Sequence, residues 1–502
     1  MSLAARVARN ASWSVLGQVG GMAVSFVAIP RVVGRLGLEA YAVYVLLNAV
    51  SNYLSVLSFG AGPATVKYAA EHAARGEGKA LRTVVAWSAV FHGLCVLAGA
   101  AAVAAAAPRL AAGVFQVPRG LLAVGATALA CAAAGGVFAS LTQMSLCVLQ
   151  GLQRFDLHSL LAFASGAMIP GGAWAVLASG RGLRAVALWF VAANALSCAA
   201  AAATAWRAVR RVPLGAPGRA PTLREFAAFG AGMTLGPAAS TIANQGDKTL
   251  IANRLPYADL TLYSIPSSIL QRLQVLPAVL SSVLLPAVSE LNARGDGEAL
   301  SRAYLRSVRL LATALAPVLA ALFCLMPQFL GLWVGAAFGS RSVWPARLLV
   351  LAQAFQLLNY VPNAVAIGCG RPWYLSAVSV GQAAVSLAAW GLLIPRFGIL
   401  GAAAGALAAQ AVPALAYLRA VHGRVLGLPA RRFAVEALAA PALSGAAALA
   451  LLLPLHHLAD SWPRLALAAA AGVCAAAAVS WALAPSEDRE LALRFLRLER
   501  RG

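Results

Sequence analysis

Long apolar stretches alternate with short polar ones from one end of the chain to the other. Fourteen apolar runs are long enough to cross a hydrocarbon core of about 30 Å as helices. They lie near residues 11–30, 38–61, 83–106, 121–149, 160–179, 185–205, 230–253, 260–288, 308–327, 345–368, 373–394, 400–418, 436–455 and 465–484. The runs are continuous and show no period of two, and an open sheet edge finds no water to pair with inside a bilayer, so helices are predicted rather than strands. Nearly all Arg, Lys, Asp and Glu fall in the short connections. The pattern predicts an all-α integral membrane protein with about 14 transmembrane helices.

Composition excludes a water-soluble globule: 61% of the 502 residues are hydrophobic and only 11% charged. Charge adds an orientation. With the N-terminus inside, the loops on that side hold more than twice as many Lys and Arg as the loops opposite, which places both termini in the cytoplasm. The formal charge of +23 is thereby spread over short loops that face an anionic leaflet, and no nucleic-acid partner is expected. No polar cleavage region follows the first run, which reads as a span and not a removable signal. The seven cysteines lie in or beside apolar runs without C-x-x-C spacing, so they read as small core residues and not as disulfides or metal ligands.

The chain also repeats itself. "ARGEGKAL" from Ala74 returns as "ARGDGEAL" from Ala293, 219 residues later, and at the same offset Arg35, Leu36 and Tyr44 meet Arg254, Leu255 and Tyr263. Glu71 falls on Glu290, Gly151 on Gly370, Phe155 on Tyr374 and Gly182 on Gly401. Six spans fit one repeat, and an even number returns the chain to the same side, so the repeats are parallel. The expected organisation is an N-terminal six-helix lobe at 1–219, a second at 220–434, and an added helix pair with a basic tail at 435–502. In that tail Arg494, Arg497 and Arg500 run beside Leu491, Phe495 and Leu498; an interfacial amphipathic helix and a solvated tail both fit.

Several motifs carry a family resemblance over about residues 5–425: "VVGRLGLEAYAVYVL", "LSFGAGPATVKYAAE", "LQGLQRFDLHS", "NQGDKTLIANRL", "LTLYSIPSSI", "LLPAVSEL", "GCGRPW" and "IPRFGILGAAAG". In order and spacing the chain resembles the polysaccharide transporter family, the lipid-linked oligosaccharide flippases of the multidrug/oligosaccharidyl-lipid/polysaccharide exporter superfamily. It departs from the family in having Tyr41, Ala42, Val43 and Tyr44 where a glycine-containing turn is common, and Lys67 where Arg is usual. The resemblance implies a V-shaped transporter that moves a polyprenyl-diphosphate sugar from the cytoplasmic to the outer leaflet of the bacterial cytoplasmic membrane by alternating access. Its expected contacts are the lipid-linked oligosaccharide, membrane lipid, and a polysaccharide polymerase with other assembly proteins. No cofactor is expected, and a coupling proton or sodium ion stays open.

Three formal charges fall well inside the apolar runs: Asp247, Lys248 and Arg272. Such residues cost about 2.5–3.5 kcal/mol each at a helix centre and usually face a cavity or a partner. Their counterparts at the repeat offset, Ala28, Ile29 and Tyr53, are uncharged. A diphosphate must leave water in transit, and a guanidinium offers it paired hydrogen bonds, which makes Arg272 the first candidate. Lys248 is a second cavity candidate that also has the reach to snorkel. Asp247 reads either as a counter-ion to Arg272 or as a carboxylate that couples an ion. Arg31, Arg35 and Lys67 stand at span ends as cleft-mouth cations or interfacial anchors. His92 reads as a satisfied core histidine. No nucleophile and base, metal cluster or phosphate loop occurs in a coherent setting, so no enzyme is expected. The alternatives to an oligosaccharide flippase are a lipid II flippase of peptidoglycan synthesis, a cation-coupled multidrug antiporter and a non-transporting membrane scaffold.

Overall fold

The computed structural model describes residues 3–58, 60–215, 218–484 and Arg489. The basic tail, apart from Arg489, lies outside the described residues. Eighteen α-helices are found among them and no strand: α1 Leu3–Val56, α2 Ala61–Ala74, α3 Gly78–Arg109, α4 Leu122–Gly151, α5 Phe155–Ala178, α6 Leu183–Arg210, α7 Leu223–Gly232, α8 Leu235–Arg254, α9 Tyr257–Gln271, α10 Val275–Ala293, α11 Gly297–Trp333, α12 Ala336–Arg341, α13 Val343–Leu358, α14 Tyr360–Gly368, α15 Trp373–Val421, α16 Ala430–Phe433, α17 Ala439–Leu455 and α18 Trp462–Leu483. All fourteen apolar runs are helical over most of their length. By length and composition, ten helices among the described residues qualify as spans, or eleven if the pair Leu223–Ala231 and Leu235–Arg254, bent by 48°, counts as one. Two very long helices, α1 and α15, each carry two of the apolar runs. Each is divided at a glycine outside helical geometry, Gly37 (φ 76°, ψ 172°) and Gly398 (φ 58°, ψ −134°). The run at 260–288 is broken too, into α9, a 3-10 turn at Arg272–Gln274 and α10.

The helices form two compact units, one of residues 1–265 and 379–405, the other of residues 266–378 and 406–502. In the first, small residues let helices approach closely, the mode of association available where lipid is as apolar as the side chains. A methyl on Gly17 of α1 would stand 2.6 Å from the Ser159 carbonyl oxygen of α5, and Gly21 lies against Gly166. Leu54 of α1 packs with Val96 and Ala100 of α3 and Ala133 of α4. At the α1 break, the Leu38 carbonyl accepts a 2.7 Å hydrogen bond from the Thr261 hydroxyl. At the α15 break, the positive φ of Gly398 folds the chain back, and Trp390 before it donates from Nε1 to the Ala402 carbonyl after it at 3.1 Å. Trp390 is buried, with Gly405 beneath its ring.

The second unit has a larger apolar core, built from Leu284 and Val288 of α10, Tyr304, Leu305 and Val308 of α11, and Leu357, Val361 and Val365 of α13 and α14. Tyr304 shares a 2.8 Å hydrogen bond with His422 Nε2 and stacks on Phe433. Arg432 reaches both Glu298 (2.9 Å) and Glu436 (3.0 Å). Together these contacts hold the 422–436 connection against the start of α11. The helix pair α17 and α18 packs at Gly472, where Leu452 occupies the space a methyl would need, and through a 3.2 Å hydrogen bond from Ser444 to the Ala476 carbonyl.

One turn is built twice. Arg75 and Arg294 each pair with the glutamate four residues before, Glu71 and Glu290. Gly76 (φ 68°) and Gly295 (φ 70°) then adopt the left-handed conformation, and the long helices α3 and α11 begin two residues later. A second turn also recurs. The Arg154 amide donates to the Leu149 carbonyl (2.9 Å), and the Arg371 amide to the Ala366 carbonyl (2.8 Å). Before them, Gln153 (φ 58°) and Gly370 (φ 72°) hold the left-handed position. Here the counterpart of Gly151 is Gly368, not Gly370, because the second copy reaches its turn two residues sooner. The packing agrees: a methyl on Gly151 would meet Ala69, and one on Gly368 would meet Val288, and those two partners are themselves 219 residues apart.

Candidate functional site

The run Asn244, Gln245, Gly246, Asp247 and Lys248 sits in the middle of α8. A helix that buries such residues must pair them, because a polar group out of water without a partner costs several kcal/mol. Each is paired. Asn244 donates to the Ser240 carbonyl at 2.8 Å. The Lys248 ammonium donates to the Asn244 carbonyl and to Gln245 Oε1, both at 2.9 Å, and stands 3.9 Å from Asp247 Oδ1. The same carboxylate oxygen accepts the Lys248 amide at 2.7 Å, and the Tyr263 hydroxyl of α9 is a hydrogen-bond partner of the carboxylate. Both charged side chains are nearly shut off from solvent, at 7% for Asp247 and 11% for Lys248.

Three neighbours fix α8 around this cluster. Tyr53 of α1 shares a 3.0 Å hydrogen bond with Thr249, one residue beyond Lys248. Trp390 of α15 covers Gly246, where a methyl would come within 3.0 Å of the indole. At the end of the helix, Asn253 donates to the Val114 carbonyl (2.8 Å) and Tyr257 to the Phe115 carbonyl (3.0 Å). Those carbonyls belong to the wide π-helical turn Leu110–Val114 and the residue after it, where a continuous helix would have used them itself.

Among the residues singled out in the sequence, Asp247 and Lys248 come together in this cluster. Arg272 lies in the second unit, exposed, on the 3-10 turn between α9 and α10. Arg31 is exposed on α1, bonded to the Val27 carbonyl (2.6 Å) and placed 5.0 Å from the Trp174 ring of α5. Arg35 is exposed one turn further on. Lys67 is exposed on α2, with its ammonium 4.5 Å and 4.3 Å from the rings of Tyr68 and Phe229. His92 is buried and shares a 2.7 Å hydrogen bond with Ser140 through Nε2. Among the described residues no group of three His, Cys, Asp or Glu has the arrangement to hold a metal ion.

Sequence reasoning missed Tyr53, Gln245, Tyr263 and Trp390. Gln245 was visible in the run that contains both charges. Tyr53 and Trp390 come from distant segments and Tyr263 from the next helix, and none carried a sign of its destination.

Residues 26–341 match the sequence profile of a family described as "Polysaccharide biosynthesis protein". Over 182 residues the chain is 21% identical to a protein of Shigella flexneri named "Putative O-antigen transporter", a stretch that covers 36% of this chain and 43% of that relative. The match therefore spans less than half of the relative's length. Two solved structures share the fold. One is the lipid II flippase MurJ in an inward closed conformation, with a TM-score of 0.70, 13% identity, and 93% of this chain and 98% of that one covered. The other is an inward-facing multidrug resistance MATE family transporter of the MOP superfamily, with a TM-score of 0.69, 14% identity, and coverage of 80% and 94%.

Proposed function

The chain belongs to the polysaccharide biosynthesis protein family, and from that premise we propose that this multi-pass membrane transporter flips a polyprenyl-diphosphate-linked oligosaccharide across the bacterial cytoplasmic membrane. The product feeds O-antigen, capsule or exopolysaccharide assembly. The observation that carries this reading is the family match over residues 26–341, which takes in the buried Asp247 and Lys248 cluster and reaches past Arg272. The mechanism is alternating access by two parallel six-helix lobes, 1–219 and 220–434, with both termini in the cytoplasm. The doubled turns at Gly76 and Gly295 support that repeat.

In this reading the diphosphate needs positive charge while it is away from water. Lys248 is committed to oxygens of its own helix, so Arg272 is assigned to the diphosphate, and Arg31, Arg35 and Lys67 attract the anion before and after transit. The test is reconstitution of the purified chain in vesicles with a fluorescent lipid-linked oligosaccharide and a membrane-impermeant quencher or glycosidase. Protein-dependent access to substrate in the inner leaflet is the expected result, and no access above protein-free vesicles would refute the function.

A second reading, a lipid II flippase, draws on the likeness to MurJ over 93% of the chain. Lipid II in the same vesicles separates the two: faster transfer of lipid II than of the oligosaccharide lipid would favour the second.

A further inference from the structure

We propose that the Lys248 ammonium is a tethered monovalent cation, filling an oxygen site on α8 that a free sodium or potassium ion would otherwise occupy. Its surroundings are a main-chain carbonyl (Asn244) and an amide oxygen (Gln245), both at 2.9 Å, and a carboxylate oxygen (Asp247) at 3.9 Å. A carbonyl, an amide oxygen and a carboxylate form the donor set of a hard cation. The site carries one negative charge, and the ammonium supplies one positive charge.

Among the described residues, three neighbours from other helices are placed against the cluster or the turn beside it. Tyr53 comes from α1, Tyr263 from α9 and Trp390 from α15. All three are uncharged, and the two tyrosines add hydroxyls. With both charged side chains buried, Asp247 cannot borrow compensation from bulk solvent, so the ammonium is required whether or not substrate is present. Unlike a dissolved ion, it cannot leave. Asp247 therefore does not serve as the site where a free sodium ion binds and is released during transport. Any driving sodium ion acts elsewhere. The inference concerns Asp247 alone and holds for any transported lipid.

The prediction is that removing the tether opens the site. In Lys248→Met the stem volume is kept and the charged head is lost, which leaves three oxygens and an uncompensated carboxylate. The full-length wild type, Lys248→Met and the Asp247→Asn/Lys248→Met double variant are purified in detergent. Each is then unfolded by heat in sodium, potassium or choline chloride at equal ionic strength. The wild type should unfold at one temperature in all three salts. Lys248→Met should unfold several degrees lower in choline and recover saturably in sodium or potassium, because an ion bound only by the folded state stabilises it by mass action. The double variant, with no carboxylate to compensate, should lose that response. A folded Lys248→Met without any difference between choline and the metal salts would overturn the proposal.

The wild type provides an arm that needs no variant. Retention of radioactive sodium at one ion per chain, lost in Asp247→Asn, would also overturn it. If Lys248→Met fails to fold in every salt, the wild-type measurement decides: no retained sodium is the expected result.

Discussion

Gly405→Ala tests whether the chain reversal at Gly398 is held by Trp390. A methyl at residue 405 would stand 2.4 Å from Trp390 Cδ1 and 2.9 Å from Nε1, well inside van der Waals contact, and the indole is only 1% exposed. The ring has to move, and its 3.1 Å hydrogen bond to the Ala402 carbonyl goes with it. Overpacking costs about 1–3 kcal/mol and the lost hydrogen bond about 1 kcal/mol, while alanine in place of glycine returns about 1 kcal/mol of helix propensity. The net expectation is a destabilisation of about 1–3 kcal/mol. Gly246→Ala meets the other edge of the same indole at 3.0 Å and should cost less. The assay is thermal unfolding in detergent at one fixed scan rate, followed by tryptophan fluorescence and completed as a double-mutant cycle with Trp390→Phe. The smaller ring vacates the Gly405 side, so Gly405→Ala should be nearly neutral in the phenylalanine background. Strict additivity, or a larger penalty at Gly246 than at Gly405, would refute this account of the reversal.

Five further outcomes are expected. Reporter fusions after Gly76 and after Gly295 should report the same, cytoplasmic, side of the membrane, and opposite sides would end the parallel-repeat reading. Gln153→Gly should stabilise the chain by up to about 1 kcal/mol, since a non-glycine residue at φ 58° carries left-handed strain. Gly370→Gln should do the reverse in a matched thermal comparison, as the two-residue shift of the second turn requires. Arg272→Ala should abolish vesicle flipping with normal insertion and abundance, and Arg272→Lys should restore only part of it because an ammonium lacks the planar fork; full activity in the alanine variant would remove Arg272 from the mechanism. Asp247→Asn combined with Lys248→Met should show a stability coupling of about 1–3 kcal/mol. Coulomb's law at 3.9 Å and an effective dielectric of 20 gives an upper bound near 4 kcal/mol, and additive single variants would contradict the pairing.

The helical runs were legible in the sequence because a bilayer imposes one demand on every span: backbone groups must pair within the segment, so an apolar run of sufficient length becomes a helix whatever its neighbours are. Breaks were less legible. "RLGLEA" and "RFGILG" read as loops between two spans, yet at Gly37 and Gly398 the helix resumes after one residue outside helical geometry. Glycine admits such geometry without requiring it. The repeat offset was readable where residue identities survive, at "ARGEG" and "ARGDG". It slipped at the second turn because the retained feature there is a backbone conformation, held by Gln153 in one copy and Gly370 in the other.

Charge is where local and distant information part. That Asp247 and Lys248 need compensation follows from their place in an apolar run, but the identity of the compensating groups does not. From the sequence, Asp247 reads either as a counter-ion to Arg272, since a carboxylate and a guanidinium on adjacent predicted spans are a natural pair, or as a carboxylate that couples an ion. In the structure, an ammonium beside Asp247 comes from the next residue in the chain. Adjacent residues on a helix point about 100° apart, so i and i+1 side chains do not ordinarily face each other. Here the lysine stem is long enough to turn back towards Asn244 and Gln245, and its head comes within 3.9 Å of Asp247 Oδ1 without either side chain leaving α8. A charge partner supplied by the same helix survives any movement of that helix as a rigid piece. For the transport cycle proposed above, this means that the buried carboxylate keeps its charge partner in every state through which α8 passes intact.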